Sequence, residues 1–181
     1  MNWKLLKRDY ISQHPYFTAR KDQCEMPDGR IVEAYYVVEL PISVCALAIT
    51  TEGKVIMAKQ YRHPIEEVIL EIPGGFIDPG EDPQQAIARE LLEETGHTFD
   101  QMIYAGKIAA NPGVLSNYTY FYLALGGTKI AAQDLDANEQ IELEYIPVET
   151  VRAMLNNNEI VQALHASCLF YAFKKYDDLQ Q

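Results

Sequence analysis

Hydrophobic and polar positions change in short runs along the first half of the chain. Arg30 to Leu40 carries Val and Tyr at strand-like spacing, Ile42 to Thr50 is apolar nearly throughout, and Val55 to Tyr61 follows the turn Thr51-Glu52-Gly53-Lys54. Pro41 separates the first two runs. Another strand is expected near Tyr16 to Glu25, closed by the turn Met26-Pro27-Asp28-Gly29. Glu66 to Ile72 reads as a short strand ended by Pro73-Gly74-Gly75. Four or more strands therefore precede any helix.

The period then lengthens. Pro83 to Thr95 is the first helix, with Asp82 as N-cap, Pro83 at the first helical position, where a missing N–H costs nothing, and Gly96 placed to close the far end. Ile103 to Ala109, Tyr118 to Leu125 and Ile141 to Pro147 return to strand spacing, with loops at Asn111 to Asn117 and Gly126 to Gln140. Val148 to Asn156 and Glu159 to Tyr176 space their apolar residues by three to four and predict two helices around an Asn156-Asn157-Asn158 turn. The sum is a mixed sheet flanked by helices, an α/β (α+β) fold, preceded by a strand-rich segment over residues 1–40. No repeat and no Gly-, Ser- or Pro-rich linker splits the chain, which is read as that segment followed by one domain over residues 41–181.

Charge narrows the partners. The formal net charge of −11 disfavours broad attraction to nucleic acid or an anionic membrane, so an anionic ligand would need local cations, such as metal ions held by carboxylates. Cys24, Cys45 and Cys168 are odd in number and widely spaced, which suggests neither a disulfide framework nor a zinc site. The longest apolar run, Val44 to Ile49, is too short to span a bilayer, and no cleavable signal stands at the start; a cytoplasmic location is expected.

On the first helix Glu90, Glu93 and Glu94 stand at i, i+3 and i+4, so their carboxylates share a face and repel. Something positive should sit among them. A hard divalent cation, Mg²⁺ or Mn²⁺, satisfies oxygen donors of this kind. A lone Glu-rich face is usually just solvated surface, but here the surroundings are specific. In GGFIDPGEDPQQAIARELLEETGH, Gly75 is followed by Glu81, then Arg89-Glu90, Glu93-Glu94 and Gly96 at fixed offsets. This resembles the Nudix box at every polar and glycine position. His97 departs from it, standing where an apolar residue is usual.

The resemblance implies the Nudix α/β/α sandwich and a pyrophosphohydrolase. It implies metal ligation by Glu90, Glu93, Glu94 and the carbonyl of Gly74, with Arg89 orienting neighbouring carboxylates. Leu91, with Ala88 and Ile87, is expected to anchor the helix to the sheet, and Glu81 to support the loop. KQYRHP (Lys59 to Pro64) and LEIPGGFID (Leu70 to Asp78) resemble the ADP-ribose and nucleoside-diphosphate-sugar pyrophosphatase branch, which implies phosphate binding by Arg62. DANEQIELEYIPVETV and NNEIVQALHASCLFYAF resemble its C-terminal half; Glu139 is the candidate extra ligand or general base, with Asp136 and Glu142 as rivals. Asn117 departs from that branch, in which an acidic residue is often found, so ADP-ribose competes with other nucleotide sugars. The branch also implies a homodimer in which N-terminal strands exchange. Two other readings are a non-hydrolytic nucleotide sensor and a housecleaning hydrolase of nucleoside triphosphates or dinucleoside polyphosphates. The intact box disfavours the first, and the flanking motifs disfavour the second.

Overall fold

The computed structural model describes residues 2–14 and 17–180. The chain divides into two compact units: Met1–Ile42 with Ala109–Tyr118, and Ser43–Ile108 with Thr119–Gln181.

The smaller unit is an antiparallel sheet of β1 (Lys4–His14), β2 (Phe17–Glu25) and β3 (Ile31–Glu39), with β2 in the middle. β1 was not expected, and Tyr16 lies outside the described residues. Burial explains why β1 escapes pattern reading. Leu5, Leu6 and Ile11 all stay exposed, so no apolar face imposes a period of two. The sheet is tied by charge instead. The Arg20 guanidinium reaches both Asp22 and Glu39, and Arg8 Nε donates to Asp22 at 3.2 Å. Residues 109–118 return to this unit, where Val38 N–H donates to Val114 O (2.8 Å) and Ser116 N–H to Val38 O (3.2 Å). Asn117 is held there too, its Nδ2 donating to the Pro41 carbonyl at 3.0 Å.

The larger unit comprises β4 (Ser43–Thr50), β5 (Lys54–Arg62), a 3₁₀ turn at His63–Ile65, β6 (Glu67–Glu71), β7 (Gly74–Phe76), α1 (Pro83–Thr95), β8 (His97–Thr98), β9 (Gln101–Ile108), β10 (Thr119–Lys129), β11 (Ile141–Pro147), α2 (Val148–Asn156) and α3 (Ala163–Leu179). The sheet runs β11-β5-β4-β10-β8, with β6 on β5, β7 on β4 and β9 on β10. β4 and β10 are parallel and the other pairs antiparallel, so the sheet is mixed.

β4 has no polar face because both of its faces are covered. Cys45, Leu47 and Ile49 pack with Phe121, Leu123, Leu169 and Phe173 on the α2 and α3 side. Val44, Ala46 and Ala48 pack with Ile87, Leu91 and Tyr122 on the α1 side. This is the expected α/β/α sandwich, and no helix is long and apolar enough to cross a membrane among the described residues.

Two of the boundaries that differ from expectation have a visible local cause. β10 continues through Gly126 and Gly127 to Lys129, because a register shift after Leu125 absorbs the left-handed Gly126 (φ 74°). α3 begins at Ala163 rather than Glu159, since the Gln162 side chain caps it by accepting from His165 N–H at 3.0 Å. Cys45 and Cys168 are free and buried, with the Cys168 thiol 3.6 Å from the Cys45 carbonyl; burial pushes the Cys45 thiol well up and keeps it protonated.

Candidate active site

Helix α1 has a core face and a charged face. Ala86, Ile87 and Leu91 are buried against β4 and β10, whereas Ala88 is exposed and does not help anchor the helix as expected. The reason is helical geometry: Ala88 stands about 100° round the axis from Ile87 and points away from the sheet. Asp82 caps the start by accepting from Gln84 N–H (2.9 Å) and Gln85 N–H (3.3 Å), and left-handed Gly96 closes the end. His97 turns inward and fits as packing: Nδ1 lies 2.8 Å from the Thr95 carbonyl, and the ring sits beside Phe99 and Tyr145.

Two glycines let β7 fit closely, Gly74 against β4 and Gly75 against the charged face of α1. At Gly74 (φ 154°) an added Cβ would stand 2.2 Å from the Val44 carbonyl, so the position admits no side chain. At Gly75 a Cβ would meet the Glu90 carboxylate at 2.5 Å. Glu90 thus lies directly against the glycine backbone, and Gly74 N–H donates to Glu94 Oε2 at 2.9 Å.

The expected positive charge among the glutamates is, in part, Arg89. Its Nε and Nη2 donate to the two oxygens of Glu81, both at 3.0 Å, while Nη1 donates to Glu90 Oε1 (3.0 Å) and Glu93 Oε2 (2.9 Å). Nη2 also reaches the Phe76 carbonyl at 3.0 Å, so one guanidinium ties β7, the following loop and the helix together. Glu81 has the supporting place expected of it, also accepting from Asp78 N–H at 3.0 Å; its bond to Arg89 and then that backbone bond hold its carboxyl below the usual range.

Arg89 does not neutralise the whole cluster. Burial pushes Glu90 up to about 7 despite Arg89, with Glu93 and Glu139 adding to the rise. Glu94 is only 7% exposed, and burial, opposed by the Gly74 N–H and reinforced by Glu90 and Glu139, pushes it up to about 8. Glu93 is the most open of the three, at 41%. Among the described residues no three His, Cys, Asp or Glu side chains are gathered as a ready ligand set, because Glu90 and Glu93 are turned to Arg89 and Glu94 to Gly74. The donors nonetheless suit a hard divalent ion: they are all oxygen, two are desolvated carboxyls whose charged forms lack enough positive charge nearby, and Glu90 rests in a cradle that a Cβ at position 75 would fill.

Glu139, on the loop before β11, acts electrostatically on both Glu90 and Glu94, and its own turn is closed by Glu139 N–H to Asp136 O at 2.9 Å. Of its rivals, Asp136 gives its N–H to Glu139 Oε2 (3.2 Å), and Glu142 faces Lys59 at 3.9 Å. Arg62, at the end of β5, is near enough to act on Glu94, and its Nε donates to Glu71 Oε2 at 2.7 Å.

Sequence reasoning missed Glu71 and His165. Glu71 is 2% exposed, and His165 of α3 brings Nδ1 to 3.6 Å from Glu71 Oε1. Burial, then the charge of Arg62, lower His165 to about 3, so the ring is neutral at pH 7 and the approach is no ion pair. A charged residue in the otherwise apolar run Val68 to Ile72 was the available signal for Glu71.

Comparison with known proteins identifies the family. Residues 39–164 match the family model described as the NUDIX domain, and residues 3–38 match the nucleoside diphosphate sugar hydrolase N-terminal domain. The chain is 32% identical over 174 residues to an ADP-ribose pyrophosphatase of Bacillus subtilis (strain 168), covering 93% of this chain and 94% of that protein. It is 36% identical over 141 residues to the methanol dehydrogenase activator of Bacillus methanolicus, covering 77% and 76%. A crystal structure of an ADP compounds hydrolase shares the fold, with TM-score 0.86 at 21% identity over 99% of this chain and 96% of that one. The glutamate face of α1, the glycine pair of β7 and these matches together make the chain a member of the Nudix hydrolase family.

Proposed function

We propose that the chain hydrolyses the pyrophosphate linkage of ADP-ribose or another nucleoside diphosphate sugar, using Mg²⁺ or Mn²⁺ and releasing a nucleoside monophosphate and a sugar phosphate. The observation that carries the metal requirement is the desolvated Glu90 and Glu94 pair pressed against Gly74 and Gly75. The substrate class is supported by the ADP-ribose pyrophosphatase of B. subtilis and by the ADP-sugar pyrophosphatase of Mus musculus, 45% identical over 65 residues, or 36% of this chain and 29% of that protein.

Glu90, Glu93, Glu94 and the Gly74 carbonyl would hold the cation. When bound, it supplies Lewis acidity that screens the phosphate oxygens and makes water a better nucleophile. Arg89 keeps Glu90 and Glu93 in place through the fork described above. Arg62 offers a guanidinium to a phosphate oxygen and holds the substrate in the ground state as well as the transition state. Glu139 takes the proton of the attacking water. The water oxygen bonds to one phosphorus, the bridging P–O bond breaks, and the electron pair leaves on the other phosphate.

The exposed apolar side chains of the smaller sheet, Leu5, Ile11, Phe17 and Tyr36 among them, support a homodimer through residues 1–40. Light scattering on the purified chain tests this. The activity is tested by screening nucleoside diphosphate sugars, nucleoside triphosphates and dinucleoside polyphosphates with Mg²⁺ and Mn²⁺. Hydrolysis of the sugars, abolished by EDTA and restored by either metal, is expected. A preference for triphosphates, or turnover that survives thorough chelation, overturns the reading.

A further inference from the structure

Glu71 is a carboxylate where the sheet has almost no water to offer. It stands at the end of β6, two residues before Pro73, with 2% of its surface exposed. Its hydrogen-bond donor among the described residues is Arg62 Nε, at 2.7 Å. The other oxygen looks towards His165 Nδ1 at 3.6 Å, too long for a hydrogen bond, and that nitrogen has no hydrogen-bond partner among the described residues. His165 thus covers the carboxylate without neutralising it.

Arg62 is in the opposite condition. Its side chain is 44% exposed, its Nε is spent on Glu71, and no hydrogen bond of its terminal nitrogens is seen among the described residues. A long side chain at a strand end, followed by a 3₁₀ turn, has many rotamers open to it. A single charge-assisted bond from Nε fixes the guanidinium plane and leaves both amino groups available for a second acceptor. The pairing also suits Glu71, whose ionised form is costly at this depth unless a cation faces it. Burial raises the carboxyl, and Arg62 offsets part of that rise.

We propose that Glu71 is a positioning residue for the hydrolysis: its buried carboxylate, roofed by His165, holds Arg62 by Nε so that the two terminal nitrogens stay directed outward as a phosphate fork. The role rests on the reading of Arg62 as a phosphate ligand and goes beyond it, because it assigns part of substrate affinity to a residue that touches no substrate.

Two measurements separate this from a purely structural role. The first is a double-mutant cycle of Glu71→Gln and Arg62→Ala on ADP-ribose with saturating Mg²⁺. Glu71→Gln alone should raise KM about fivefold with kcat within about twofold, and should change kcat/KM by less than about twofold when Arg62 is already Ala. Equal losses in both backgrounds overturn the proposal, since they mean Glu71 acts without Arg62. The second needs no turnover: the Arg62 Nε–H resonance, assigned by its loss in Arg62→Lys, should be slow to exchange in the wild type and should move and exchange faster in Glu71→Gln. An unchanged resonance overturns the proposal whatever the kinetics. If instead no nucleoside diphosphate sugar is hydrolysed, the functional reading fails, and the resonance still decides whether Glu71 holds Arg62.

Discussion

Gly74 and Gly75 are neighbours with different duties, and alanine should separate them. At Gly74 a methyl group collides with backbone, the Val44 carbonyl at 2.2 Å, in a conformation that side chains rarely adopt. Gly74→Ala should cost about 3 kcal/mol or prevent folding, read by urea denaturation. At Gly75 the obstacle is the mobile end of Glu90. Gly75→Ala should melt within about 2 °C of wild type yet lose at least about tenfold in kcat, because Glu90 has to leave its place. A normally active Gly75→Ala would show that the cradle is irrelevant. Glu94→Gln probes the charge itself: the amide oxygen can still accept from Gly74 N–H, so the fold should hold while turnover falls at least about 100-fold. A folded variant with near-normal turnover sinks the assignment of Glu94. The box residues were legible because fixed offsets carry them. Glu71 left one local sign, a charge within an apolar run, but its approach to His165 joins β6 to α3 across more than half the chain and could not be read from either segment.

Among the elements, α1 was read to its last residue because both of its stops are local, a side-chain cap at Asp82 and a left-handed glycine at 96. β7 and β8 are three and two residues long, too short to show any period, and exist by pairing with β4 and β10. β1 has the length but not the buried face. Two substitutions on α1 should part stability from function. Asp82→Ala should cost about 1 kcal/mol of stability and leave kcat unchanged at saturating metal. Arg89→Lys keeps the charge but not the fork, so Glu81, Glu90, Glu93 and the Phe76 carbonyl cannot all be held at once. Its kcat should fall about tenfold or more. Chemical denaturation and steady-state kinetics on the same samples check both, and an Arg89→Lys enzyme with wild-type kcat would leave Arg89 a structural staple only.

For the whole molecule the buried carboxyls set a pH dependence with a definite sign. Glu90 and Glu94 rise from 4.5 to about 7 and about 8 on folding, so in that range the native chain binds more protons than the unfolded one. Their contribution is fully present below about 4.5 and is lost as pH climbs through 7 to 8. His165 works the other way. Its fall from 6.5 to about 3 supplies stability above 6.5 that is lost as pH drops towards 3. Above pH 6.5 the His165 contribution is already complete while that of the two carboxyls is being lost, so in EDTA the melting temperature should fall from pH 6.5 to 8.5 by at least about 5 °C. Mg²⁺ should recover more of it at pH 8.5 than at 6.5. A flat profile in EDTA would mean that water reaches the two carboxylates.

Residues 109–118 belong with residues 1–42, although the strands from β4 to β9 are made in between. On the ribosome, at roughly 5 to 20 residues per second, the first three strands emerge several seconds before the segment that bonds Val38 on both its N–H and C=O sides. During that wait β3 carries an open edge at Val38, which a neighbouring nascent chain could pair with. Proteins of this design should therefore depend on dilution or chaperones early in synthesis. In a pulse-labelled translation reaction, protease resistance of the N-terminal strands should appear only once residue 118 has cleared the exit tunnel.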